Sequence, residues 1–231
     1  MMPSGAVRVL VIDDEQPIRR LLRVGLTAEG FGILEARNAA EADRMLREEK
    51  PDVVILDLGL PDRSGQDLLE AWRSALIEVP VVVLSSRTDE PGIVAALDLG
   101  ADDYITKPFG MKELAARLRV AMRHRLQEQG ERPIFQLGDL SVDLVRRIVM
   151  LGEEEVKLSP KEYEILRILV QHAGKVITHR HLLQQVWDET TDVQYLRVYV
   201  RQLRQKLKDS PDAPLYITTE TGVGYRLREA D

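Results

Sequence analysis

Cysteine is absent from the chain, and aromatic side chains make up only 5% of its 231 residues. Without thiols there is no disulfide framework, no thiolate metal site and no cysteine nucleophile. Four scattered histidines argue against a zinc centre as well. Long apolar runs are also missing. The stretch 79–84, interrupted by Pro80, falls far short of the roughly 20 residues a bilayer span requires. The amino-terminal segment has no basic stretch followed by an apolar core and a small-residue cleavage site, so no secretion signal is read there. A cytoplasmic protein with no membrane association is the expectation.

What is present sets the class. With 44% hydrophobic and 30% charged residues, the chain is globular in composition and long enough for one or two domains with their own cores. The net charge of −6 is unevenly spread: residues 1–130 carry 17 Lys and Arg against 22 Asp and Glu, and residues 131–231 carry 15 against 16. Within the second half, residues 193–208 hold Arg197, Arg201, Arg204, Lys206 and Lys208 with no acid among them. An acidic chain is no general nucleic-acid coat, but a focused basic face is decided by local potential.

The first half alternates between two periodicities. Residues 7–12 form a β-branched, nearly continuous apolar run that stops at Asp13-Asp14, as a buried strand does. Helical spacing follows over 16–29, with Pro17 in the first turn. Further strands are expected near 33–36, 53–57, 81–85 and 104–106, and helices over 39–49, 66–74, 92–99 and 111–125. Five such units imply a flavodoxin-like (βα)5 fold, a parallel sheet covered on both faces. Ligand chemistry in such sheets collects beyond the carboxyl ends of the strands. That rule selects Asp13, Asp14, Asp57, Ser85 and Lys107.

Clustered carboxylates raise one another's pKa unless a cation is bound. An oxygen-only acidic set suits a hard ion such as Mg²⁺. Asp57 can act as a nucleophile toward phosphorus, with Mg²⁺, Lys107 and the Ser85 hydroxyl neutralising the transferred group. A single acid after a strand is more often a helix cap, and a Lys-Pro step is more often a turn. Five such positions in one order are another matter. Glu15 is read only as favouring a helix start through the macrodipole.

Residues 7–125 resemble the receiver domain of two-component response regulators. The likeness rests on Asp13-Asp14, on Asp57 within Val-Ile-Leu-Asp-Leu-Gly-Leu-Pro-Asp, on Val-Leu-Ser85, and on Gly100-Ala-Asp-Asp-Tyr-Ile-Thr-Lys-Pro-Phe109. The resemblance implies Asp57 as acceptor of a phosphoryl group from a sensor histidine kinase. It implies Asp13, Asp14 and Asp57 as metal ligands with the Gly59 carbonyl. It further implies Lys107 as phosphoryl clamp beside a cis Lys107-Pro108 bond, and Ser85 with Tyr104 as a conformational switch.

Residues 126–133 are polar and carry Gly130 and Pro133, and are read as a linker between a receiver over 1–125 and a second domain over 134–231. Short alternating runs at 140–143, 146–151 and 156–158 predict antiparallel strands, with 152–155 as a turn. Ser159-Pro160-Lys161-Glu162 is a helix start with a cap, a first-position proline and an acid three residues on. That helix is expected to reach His172. Others are expected over 179–187, capped by Thr178, and over 193–208, followed by a hairpin around Gly222 and Gly224. Three helices and a hairpin make a winged helix-turn-helix. Leu196, Val200, Leu203 and Leu207 mark the core face of the third helix. Arg197, Arg201, Arg204, Gln205 and Lys208 form the other stripe, suited to base edges and phosphates in a major groove. Tyr195, Tyr199 and Gln202 on that helix, and Thr219, Thr221 and Arg226 on the hairpin, complete the candidate DNA contacts.

This half is similar to the OmpR/PhoB-type effector domain. A closer likeness, covering nearly the whole chain, rests on Tyr195-Leu-Arg-Val-Tyr199, Leu203-Arg-Gln-Lys-Leu207 and Thr219-Glu-Thr-Gly-Val-Gly-Tyr225. It implies a transcription regulator, not a turnover enzyme, that works on promoter DNA with RNA polymerase and pairs into a homodimer on phosphorylation. Control of potassium-transport genes is implied, with another regulon as the alternative. The family's dimer face predicts roles for Asp102, Asp103, Glu113 and Arg117. Here Pro91-Gly-Ile93 stands where the family carries a basic residue, which leaves Glu113 without its usual partner. Two other readings compete: a stand-alone phosphatase of similar topology, and a DNA protein independent of phosphorylation. Gly59, two residues after Asp57, is not the second acid the phosphatase reading wants.

Overall fold

The computed structural model describes residues 6–187 and 191–229. They fall into two compact units that divide between Gly130 and Glu131.

In the first unit, strands and helices alternate throughout: β1 (Arg8–Ile12), α1 (Gln16–Ala28), β2 (Gly32–Ala36), α2 (Ala39–Glu49), β3 (Val53–Leu56), α3 (Gly65–Ser74), β4 (Val81–Ser85), α4 (Glu90–Asp98), β5 (Asp103–Thr106) and α5 (Met111–Glu128). The strands form one parallel sheet in the order β2-β1-β3-β4-β5. The winding reverses at β1, so the crevice beyond the ends of β1 and β3 is the topological switch point. β-branched side chains bury both faces of the central strands: Val9, Val11, Val53 and Val81 through Val83 exclude solvent entirely. Leu22 and Leu26 of α1, Leu68 and Trp72 of α3, and Leu114 and Leu118 of α5 close over them, each large side chain contributing about 1.5–3 kcal/mol on burial. Side-chain caps start three of the helices: Asn38, Ser64 and Asp89 accept from backbone N–H groups of α2, α3 and α4.

In this unit two helix limits differ from expectation by more than one residue. α4 begins at Glu90, two residues early, because Asp89 caps it and Pro91 fits its first turn. α5 runs on to Glu128, three residues into the expected linker. Arg125 explains this extension, since it pairs with Glu128 one turn on and with Glu78.

The second unit opens on an antiparallel sheet, β6 (Ile134–Leu137), β7 (Leu140–Asp143), β8 (Ile148–Leu151) and β9 (Glu154–Glu155). Here the expected turn over 152–155 is corrected. Only Gly152 and Glu153 turn, with Gly152 at φ 62, and Glu154 and Glu155 pair with Leu151 and Met150. Nor is 156–158 a strand. Val156 donates one hydrogen bond to Val149 O and the chain then leaves the sheet.

The remainder comprises α6 (Pro160–Gln171), β10 (Ile177–Thr178), α7 (His179–Val186), α8 (Val193–Lys206), β11 (Ile217–Glu220) and β12 (Gly224–Leu227). A capping box starts α6, with Ser159 and Glu162 each accepting the other's backbone N–H. β10, too short to read in the sequence, joins β12 and β11 in a second sheet. A Cβ at Gly224 would lie 1.9 Å from Ile177 O, so the wing strand packs against β10 only because that residue is glycine. α8 buries Leu196, Val200 and Leu203 against α6 and α7.

Candidate phosphoacceptor site and nucleic-acid interface

Parallel strands deliver the acids to one place. Asp13 leaves β1 and Asp57 leaves β3, and backbone pairing between the strands is continued by Asp57 N–H donating to Ile12 O at 2.8 Å. Carboxylate oxygens of Asp13, Asp14 and Asp57 lie within 4.8 Å of one another. Asp13 and Asp57 are 2% and 8% exposed, whereas Asp14 is open to solvent. Lys107 directly follows β5 and is joined to Pro108 by a cis bond. Its Nζ stands 2.8 Å from Asp13 Oδ2 and 3.2 Å from Asp57 Oδ2, with Glu15 farther off at 3.7 Å. The remaining oxygens are held by backbone: Glu15 N–H donates to Asp13 Oδ1 and Leu58 N–H to Asp57 Oδ1, both at 2.8 Å.

Burial pushes the Asp13 carboxyl above its ordinary value, against the pull of Lys107 and the Glu15 N–H. Burial also works against the charge on Lys107, but the hydrogen bond to Asp13 and the Asp57 charge outweigh it and hold the ammonium above its usual range. Three carboxylates share one ammonium. An oxygen-only set this tight fits a hard divalent cation such as Mg²⁺. Gly59 lies beside it, where a Cβ would stand 3.9 Å from Asp57 Oδ2.

Ser85 and Tyr104 meet at one loop. The buried Ser85 Oγ accepts from Arg87 N–H at 3.2 Å, and Tyr104 OH donates to Arg87 O at 3.0 Å. Gly65 is a positioning residue that the sequence reading passed over. A Cβ there would meet Asp57 O at 2.4 Å and Leu58 Cα at 2.8 Å, so a glycine lets α3 start against the backbone of Asp57. Only the packed structure carries that signal.

The four expected dimer residues separate into two groups. Arg117 bridges Asp103 at 2.9 Å and Glu113 at 3.0 Å within one protomer, which gives Glu113 an intraprotomer partner one helical turn away. Asp102 turns elsewhere: its Oδ2 accepts from Val81 N–H at 2.8 Å and pairs with Arg73 at 3.2 Å.

In the second unit, α8 presents Tyr195 (61% exposed), Arg197, Arg201, Gln202 and Gln205 to solvent. Arg197 and Arg201 have no hydrogen-bond or ion-pair partner among the described residues. Tyr199 is half-buried, its ring 5.2 Å from that of Trp187. The placement of Arg204 is a correction. It is 8% exposed and points inward, donating to Ile217 O at 2.7 Å and Thr219 Oγ1 at 2.9 Å. A repeat by three or four residues through Arg197 and Arg201 places it on the outer stripe, but the long guanidinium reaches back to the wing. Thr219 is thereby engaged as well. Lys208 lies beyond the end of α8 with φ 54 and pairs with Glu154 at 3.1 Å. On the wing, Thr221 is exposed in the turn and Arg226 pairs with Glu220 at 2.7 Å.

Residues 9–119 match the response regulator receiver domain, and residues 152–227 match the family described as transcriptional regulatory protein, C terminal. The chain belongs to the two-component response regulators of the OmpR/PhoB type, transcription regulators that join a receiver to a DNA-binding domain. It is 46% identical over 221 residues to the KDP operon transcriptional regulatory protein KdpE of Escherichia coli K12, covering 95% of this chain and 98% of that one. It is 48% identical over 222 residues to the transcriptional regulatory protein KdpE of Mycobacterium tuberculosis H37Rv, with the same coverage. Among solved structures, the signal receiver domain of a Luxo repressor protein from Vibrio parahaemolyticus superposes with a TM-score of 0.51 at 25% identity, over 54% of this chain and 95% of that one. Among the described residues no helix is long and apolar enough to cross a membrane.

Proposed function

We propose that Asp57 accepts a phosphoryl group from a sensor histidine kinase and that this modification raises affinity for promoter DNA. The observation that carries the reading is the meeting of Asp13, Asp14 and Asp57 within 4.8 Å, with the Lys107 ammonium between two of them.

An Asp57 carboxylate oxygen attacks phosphorus, the bond from phosphorus to the donor's imidazole nitrogen breaks, and the imidazole leaves with a proton from solvent. Asp13, Asp14, Asp57 and the Gly59 carbonyl would hold Mg²⁺, which supplies charge neutralisation at the phosphoryl oxygens. Lys107 exchanges its contact with Asp57 for one to the new phosphoryl group. Ser85 and Tyr104, joined at Arg87, reorganise with it, and the surface bearing Asp103, Glu113 and Arg117 pairs two receivers. Pairing sets two winged helices on adjacent half-sites. Arg197, Arg201, Gln202 and Gln205 read the major groove, and the wing with Thr221 adds backbone contacts. The identities to KdpE proteins support a target of the same kind, an operon for potassium transport, read with RNA polymerase in the cytoplasm.

Acetyl phosphate with Mg²⁺ is expected to label the wild-type chain and to tighten its binding to a duplex selected from a random pool. Asp57→Asn is expected to abolish both. Persistent labelling of that variant would reject the assignment.

A further inference from the structure

Three elements of the second unit converge on one imidazole. His179 opens α7, and its backbone N–H donates to Val223 O at the tip of the wing at 2.9 Å. Its ring stands edge-on to Tyr225 of β12, with centroids 5.4 Å apart and planes at 73°. Arg197 of α8 is near enough for its charge to act on the ring. The ring has no hydrogen-bond partner among the described residues. It is half-buried and lines an open depression of about 420 Å³ shared with Arg180, Leu183, Gln184 and Val193. Among the described residues no carboxylate lines that depression. Arg180 and Arg197 are both exposed.

We propose that His179 contacts a DNA backbone phosphate together with Arg180 and Arg197, and that the chain takes up a proton on this imidazole as it binds. The proposal rests on the reading that α8 and the wing face DNA.

A phosphate oxygen only accepts hydrogen bonds, whereas a neutral imidazole offers one donor and one acceptor nitrogen. Protonation makes both nitrogens donors, so the acceptor side no longer opposes the phosphate. In the free chain, burial and then the Arg197 charge hold the imidazole below its ordinary value. A phosphate placed among the three cations removes the like-charge repulsion and reverses that bias. Among the described residues, Arg197 of α8 acts on the ring with a positive charge, Arg180 of its own helix lines the same depression, and Tyr225 of β12 stands against the ring with its hydroxyl held by burial above its ordinary value and so neutral. Since the bound form holds the proton more tightly than the free form, affinity rises as pH falls through the interval between the two values.

The experiment measures binding of the full-length chain to a fluorescein-labelled duplex that wild type selects from a random pool. Titrations run between about pH 8 and about pH 6 at constant ionic strength, because phosphate contacts are salt-dependent. Wild type is expected to bind more tightly toward the acid end, about tenfold for each unit by which DNA raises the imidazole. His179→Gln is expected to lose that slope, and His179→Arg to bind tightly without it. His181→Gln keeps the slope, since the His181 ring faces His172 at 6.2 Å instead. Circular dichroism confirms that each variant folds. Equal slopes in wild type and His179→Gln, or no slope in wild type, would overturn the proposal while leaving DNA binding intact. Failure to bind the duplex at any pH would overturn the DNA reading and this proposal with it.

Discussion

One ammonium decides how Asp13 and Asp57 coexist. With Nζ within 3.2 Å of both, Lys107 offsets a repulsion that two buried carboxylates could not sustain alone. Lys107→Met is expected to leave Asp57 chemically competent but to slow its labelling by acetyl phosphate by about 10²-fold, the usual loss on removing one donor to a developing charge. Unchanged labelling kinetics would show that the ammonium serves the resting site only. Gly65 makes a second case. Gly65→Ala forces a Cβ against Asp57 O, and overpacking of that kind costs about 1–3 kcal/mol, read as a lower thermal midpoint together with slower labelling. A midpoint unchanged from wild type would contradict the contact. These two residues also mark what the sequence discloses. Asp13, Asp57, Ser85 and Lys107 are legible because each ends an apolar run, and a parallel sheet carries all such ends to one edge. Gly65 is not legible, because its role lies in a backbone approach between segments that only the packed chain brings together.

At the level of elements, α8 is tied to its surroundings through side chains whose sequence pattern points the other way. Lys206 lies in a basic run yet bonds to Glu162 at 2.6 Å, joining α8 to the first turn of α6. Burial opposes the charge on Glu162, but the Lys206 hydrogen bond and the Ser159 N–H prevail and hold the carboxyl below its ordinary 4.5. A carboxyl depressed on folding contributes stability that is whole above the unfolded value and is lost as pH falls through the folded one. Glu162→Gln is therefore expected to cost about 1–3 kcal/mol at neutral pH, with the difference from wild type closing as pH falls through the folded carboxyl's value, below 4.5, as urea melts of the variant at several pH values would show. A gap that persisted in acid would assign the loss to packing instead. Arg204 behaves likewise between α8 and the wing. Arg204→Ala is expected to keep major-groove protection in a hydroxyl-radical footprint and to lose the protection given by the wing; loss of neither would remove the coupling. Helical periodicity finds the core face of α8 without error, since Leu196, Val200, Leu203 and Leu207 are all buried. It cannot say which way a long guanidinium folds, nor that two residues such as Glu154 and Glu155 pair as a strand.

For the whole molecule, two small units are joined through one stretch of chain, and the consequences of phosphorylation follow from stoichiometry. The ion pairs of Arg117 with Asp103 and Glu113 are partly exposed, at 43% for Arg117, 26% for Asp103 and 54% for Glu113, and exposed pairs of this kind are worth about 0–1 kcal/mol. On the proposed pairing through that surface, Arg117→Ala is expected to shift association of the receivers by less than about tenfold, the measure being sedimentation with a phosphoryl mimic. Even weak pairing would act strongly on DNA, because two winged helices held together would meet the second half-site at an effective concentration far above that of free chains. On the proposed reading, phosphorylation adds no base contact of its own. A duplex with two half-sites is expected to gain affinity on phosphorylation by about 10-fold or more, while a duplex with a single half-site binds both forms alike. Equal enhancement on the single half-site would mean that phosphorylation acts within one chain, on the DNA-reading surface itself, and that pairing is a by-product.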